Sequence, residues 1–165
     1  MKKRIAIENA DDVVKFFLAK KDLTQKQIHK LLFFSYLEYL QQNNDNDKSL
    51  NNVLFENKFQ AWIHGPVYET LYKTYADYGS SLIGLNFESM ESEESIAKKF
   101  SEEVVFFLNK IFEKYQGLDG NELEELSHKT LAWRVAREGY SSQEICTELI
   151  KDIDIYNTAK IKIGV

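Results

Sequence analysis

The stretch TQKQIHKLLFFSYLEYLQQ, residues 24–42, decides the fold class. Thr24 followed by Gln27 is a capping box, in which each side chain satisfies a backbone N–H that the first helical turn leaves without a partner. From Leu31 to Leu40 the apolar residues Leu31, Leu32, Phe33, Phe34, Tyr36, Leu37, Tyr39 and Leu40 cover nearly every side of that helix. A helix that is apolar all round has to be surrounded by other elements. This one is expected to be the central helix of a mostly α protein.

The neighbouring segments supply the surrounding helices. Asn9 can cap a helix over about Ala10 to Lys20, with Asp11 and Asp12 in its positive first turn and Lys20 and Lys21 at its negative end. Residues 41–52 have almost nothing to bury and are rich in Asn and Asp, which predicts an exposed loop. Ser101 followed by Glu102 and Glu103 opens a helix that Gly117 stops. Asn121 with Glu124 predicts a short helix to about His128, another piece covers Leu131 to Glu138, and Ser141 with Glu144 predicts a last helix carrying Ile145, Leu149, Ile153 and Tyr156 on one face. Phe59, Ala61 and Ile63 alternate with Gln60 and Trp62, as in a short extended segment, and the tail IKIGV alternates likewise. Residues 80–100, with an acidic stretch holding Glu88, Glu91, Glu93 and Glu94, give no clear pattern. The expectation is a single compact domain over 1–165, of about seven helices, with at most a minor β element near residues 58–63 and the C-terminus.

At 165 residues the chain can bury a sizeable core, and its 44% hydrophobic content excludes disorder. A single cysteine, Cys146, points to a reducing cytoplasm and to a small buried hydrophobe rather than a nucleophile. The richest apolar run is interrupted by Ser35 and Glu38, so no membrane span is expected. A formal net charge of −5 with scattered basic residues argues against nucleic acid as the main partner. Catalytic and metal motifs are missing too. Glu125 and His128 stand three apart, as metal ligands on a helix can, but a di-iron bundle needs that motif twice. With three histidines, His29, His64 and His128, and no complete ligand spacing, the expectation is no metal, no cofactor and no catalysis.

The segment FQAWIHGPVY, residues 59–68, resembles the signature of the Panacea, or SocA-like, antitoxin domain family, in which an Ala-Trp pair, two variable positions and Gly-Pro-Val lead into a helix. The matching residues are Ala61, Trp62, Gly65, Pro66 and Val67. Upstream, Leu23-Thr24 and Lys30 to Phe34 fit the family's pattern. Downstream, Ser127-His128 and Trp133 with Arg137 resemble its Thr-His and Trp-x-x-Ala-Arg region. The likeness runs from about residue 10 to 156. It departs at Ala132, where the family often has Pro, and in residues 80–100, which have no clear counterpart. The resemblance implies a helical domain that neutralises a toxin encoded beside it, in bacteria or their phages, without enzyme activity.

Read from the residues alone, the signature has an architectural meaning: Trp62 as an anchor, Gly65 where a side chain would obstruct a turn, and Pro66 as the opener of a helix ending at Gly79. For Trp62 and His64, anchor and partner contact both stay open. On that expected helix Tyr68, Tyr72 and Tyr75 fall in one stripe suited to protein contact, while Val67, Leu71 and Tyr78 face the core. The function expected is therefore binding of a cognate toxin by Trp62, His64, Tyr68, Tyr72 and Tyr75. The alternatives are a DNA-binding regulator of its own operon, from a helix-turn-helix sketch around Thr24, and a phage structural or host-takeover factor.

Overall fold

The computed structural model describes residues 2–85 and 91–164; the expectation for Glu88 lies outside them. Among the described residues eight α-helices run α1 Ala10–Lys20, α2 Gln25–Gln42, α3 Glu69–Tyr75, α4 Glu93–Ala97, α5 Glu102–Tyr115, α6 Gly120–His128, α7 Leu131–Ala136 and α8 Asp152–Tyr156. Four short strands complete the chain: β1 Arg4–Ile5, β2 Asn52–Val53, β3 Phe59–Trp62 and β4 Gly65–Tyr68. The fold is mostly α, as the sequence predicts. None of these helices is long and apolar enough to cross a membrane.

The central helix is α2. Thr24 Oγ1 accepts from Gln27 N at 3.2 Å and Gln27 Oε1 accepts from Thr24 N at 2.9 Å, closing the predicted capping box. Every residue from Ile28 to Leu37 is buried. Aromatic contacts lock the helix to its neighbours: Phe34 stacks on Tyr115 of α5 with ring centroids 4.8 Å apart, and Phe33 meets Phe59 of β3 edge-on at 5.3 Å. Tyr36 donates to Asp152 Oδ1 of α8 at 2.7 Å, so this buried hydroxyl is satisfied. From Ile28 to Leu37 the helix therefore has no exposed face to present to a DNA groove.

Several local expectations need correction. The loop 41–52 ends in β2, which pairs in parallel with β1, Arg4 opposite Asn52 and Ile5 opposite Val53; the second β element is thus N-terminal, and the tail adopts no strand through Gly164. Helix α6 is capped by Asp119, not Asn121. The capping box there is Asp119 with Glu122, which leaves Glu124 available elsewhere. Within 80–100 lies α4, and Ile83 forms an isolated antiparallel bridge with Leu23.

The largest correction concerns the last helix, which spans only α8. The Ser141–Glu144 bond forms, with Ser141 N donating to Glu144 Oε1 at 2.8 Å, yet no helix follows. Its cause is the buried Arg137, whose guanidinium donates to the carbonyls of Ser141 (2.8 Å) and Glu144 (2.7 Å). Those are the acceptors a helix from Ser141 would need for its own ladder. The chain instead runs extended along β3, with Ala61 N donating to Glu148 O and Ile150 N to Phe59 O. Ile145 and Leu149, assigned to a buried face, are 81% and 57% exposed, while Cys146 is buried as expected.

Candidate functional site

The signature segment folds as a tight hairpin. β3 and β4 pair antiparallel, with Ala61 opposite Pro66 and Trp62 opposite Gly65, so Ile63 and His64 form the turn. Pro66 therefore lies in a strand and does not open a helix; α3 begins only at Glu69. A proline fits here because its carbonyl faces away from β3 and accepts from Lys30 Nζ at 3.1 Å. In a strand the N–H and C=O of one residue point to the same side, so the ladder loses nothing by the missing N–H.

Both edges of the hairpin are occupied. On the β4 edge Tyr68 N donates to His29 Nδ1 at 3.1 Å, beside the Lys30 bond to Pro66. On the β3 edge Arg137 donates to Ala61 O at 2.9 Å, and at the turn Trp133 Nε1 donates to Trp62 O at 2.9 Å. Gly65 lies between these supports with φ +104°, and a Cβ there would stand 2.5 Å from Ser127 Oγ and 2.7 Å from Lys30 Cε. The glycine thus provides both the left-handed turn and the space for the lysine. His128 stacks on Trp133 with centroids 4.1 Å apart, which fixes the indole that holds Trp62, and its Nε2 has no hydrogen-bond partner. Burial lowers its pKa.

His29 and Lys30 are the residues that sequence reasoning missed. Because His29 Nδ1 accepts from a backbone N–H, the ring is neutral with its proton on Nε2, directed toward Gln25 Oε1 at 3.4 Å. Burial, with a smaller contribution from Lys30, lowers its pKa to about 3. Lys30 is 2% exposed, and burial lowers its pKa to about 7, opposed by Glu124. The spacing of the two residues in an apolar run carries no sign of this. The one available signal was their polarity at positions where an all-buried helix tolerates none without a partner.

Over the hairpin's outer side opens a cavity of about 690 Å³, with walls from the start of α2, the hairpin turn, α3, the start of α6 and the extended segment around Cys146. Trp62 is half-buried in its wall, donating to Gln60 Oε1 at 2.8 Å and packing against Tyr72 with centroids 4.9 Å apart. His64 is exposed at the turn, with Nδ1 3.3 Å from Glu124 Oε2; Lys26 meets the other oxygen of Glu124 at 2.8 Å. The predicted tyrosine stripe breaks up. Tyr68, in β4, is buried and donates to Glu56 O at 2.8 Å, and Tyr75 is buried and donates to Asp11 Oδ1 at 2.6 Å. Tyr72 alone of the three is exposed, at 39%, and Tyr78, assigned to the core, is also exposed, while Val67 and Leu71 are buried.

A helical scaffold thus clamps an irregular hairpin and leaves an aromatic-rimmed cavity beside it. The chain matches the family model for the antitoxin SocA-like Panacea domain over residues 28–134, and it belongs to that family. The matched span opens just before His29 and Lys30 and closes just after Trp133, so it holds most of the hairpin's supports. No curated protein matches the chain, and neither does any solved structure.

Proposed function

We propose that this protein is an antitoxin that neutralises a cognate toxin, encoded by an adjacent gene, by stoichiometric contact in the cytoplasm and without catalysis. Membership of the antitoxin-like family is the observation that carries the reading. The surface offered for contact is the rim of the cavity, where Trp62, His64 and Tyr72 lie with the exposed Ile145. Aromatic and branched apolar side chains around a concavity suit protein recognition, because they supply large contact area at small entropic cost. Tyr68 and Tyr75 leave the contact set, since both are spent inside the fold.

The test is expression of the neighbouring open reading frame with and without this protein. Toxicity of the neighbour alone, growth rescue by the pair and a co-purifying complex are expected. Tyr72→Glu should leave the protein folded, with its melting temperature within about 2 °C, and abolish rescue. A harmless neighbour, or rescue without any complex, would overturn the reading.

A further inference from the structure

The cavity is lined by cations in a chain of formal net charge −5. Lys26 and Lys30 face it, and among the described residues Asp119 is the one carboxylate in its lining. Asp119 is engaged as the N-cap of α6, accepting from Glu122 N at 2.8 Å. Lys26 is held by Glu124 at the side. At the floor Lys30 donates to Pro66 O, and an ammonium has three donors. The first turns of the 18-residue α2 and the 9-residue α6 also border the cavity, and both present the positive end of their dipoles. Trp62, Val67, Tyr72 and Ile145 supply apolar wall above this floor, among the polar Thr24, Gln25, His64, Ser80 and Asn121.

We infer that this cavity receives the C-terminal carboxylate of a partner protein, with the partner's last apolar side chains against Trp62, Tyr72 and Ile145 and the carboxylate at Lys30. The inference rests on the antitoxin reading for the identity of the partner, not for the chemistry of the cavity. Depth favours a chain end: the rim residue Ile145 is 81% exposed while Lys30 is 2% exposed, and a chain end reaches such a floor without having to turn and leave. A volume of about 690 Å³ accommodates a few residues. Burial, opposed by Glu124 and aided by Lys26, holds Lys30 near pKa 7, and an anion beside it favours the charged form. Capture of a terminal carboxylate is an established mode of peptide recognition.

The test uses the purified full chain and two probes, the tripeptide N-acetyl-Phe-Phe-Leu as its free acid and as its C-terminal amide, titrated calorimetrically at low salt. The acid is expected to bind at least about tenfold more tightly than the amide. Lys30→Met, similar in length and apolar, is expected to remove that preference. If it fails to fold, Ile145→Glu at the exposed rim serves instead and should weaken the acid more than the amide. Equal binding of acid and amide, no binding of either at millimolar concentration, or a preference that survives in folded Lys30→Met would overturn the inference. Failure of the two readings is distinguishable. Toxin rescue that persists without any acid preference keeps the antitoxin and removes the carboxylate site, whereas a harmless neighbour with the acid preference intact does the reverse.

Discussion

The two sides of the β3–β4 hairpin differ in what their polar groups face. On the inner side the backbone of Ala61, Trp62, Pro66 and Tyr68 is bound by Arg137, Trp133, Lys30 and His29, all from other elements. On the outer side Trp62, His64 and Tyr72 border open space. The Ala-Trp-x-x-Gly-Pro-Val signature is therefore chiefly a docking code between a hairpin and its own scaffold. Gly65 and Pro66 act inward, Trp62 divides its carbonyl from its ring between the two sides, and His64 acts outward.

Substitutions on the inner side should cost stability and those on the outer side should not. Gly65→Ala meets both a positive φ and a collision with Lys30 and Ser127, and should lose roughly 4 kcal/mol, read as a shift of the urea midpoint. Gly139, with φ +87° and nothing near its Cβ position, isolates the backbone share, so Gly139→Ala should cost about 1 kcal/mol. Equal losses at the two glycines would mean that Lys30 yields to the added methyl, and the docking code would then reduce to turn geometry.

His29 gives the next largest effect. Its folded pKa of about 3 lies below the unfolded value of 6.5, so below pH 6.5 the unfolded chain takes up a proton that the folded chain refuses. The stability is complete above pH 6.5 and falls as the pH drops toward 3. Between pH 6.5 and 4.5 the loss should reach about 3 kcal/mol, at about 1.4 kcal/mol per unit. His29→Gln should flatten that slope in denaturant titrations repeated across the range, and an unchanged slope would separate the histidine from the hairpin's support. The smallest effect belongs to the outer side. His64→Ala, at an exposed ring whose Nδ1 meets Glu124, should move stability by less than about 0.5 kcal/mol.

How much of this was legible in the sequence depended on whether the signal was local. The capping box at Thr24 and Gln27, the caps at Asn9 and Ser101, and the all-round burial of α2 need only neighbours in the chain, and all three appear as read. Pro66 was misread because its fixed φ suits a helix start and a strand alike, and what decides between them is Lys30, 36 residues away. Ser141 and Glu144 form their local bond in full, but Arg137 takes the carbonyls that a helix would use. The tyrosine stripe failed with the helix that was to carry it. The architectural role of Gly65 was legible because the demand of a tight turn is written in that residue itself.

The extended segment from Ser141 to Ile150 also sets a clock on the molecule. It supplies Ile145 and Cys146 to the cavity wall and the strand-like edge that closes β3, so the wall is missing from a nascent chain until these residues leave the ribosome. At about 5–20 residues per second, translation of residues 1–140 takes roughly 7–30 s. Through that interval a growing chain can hold α1 and α2 but not the finished cavity.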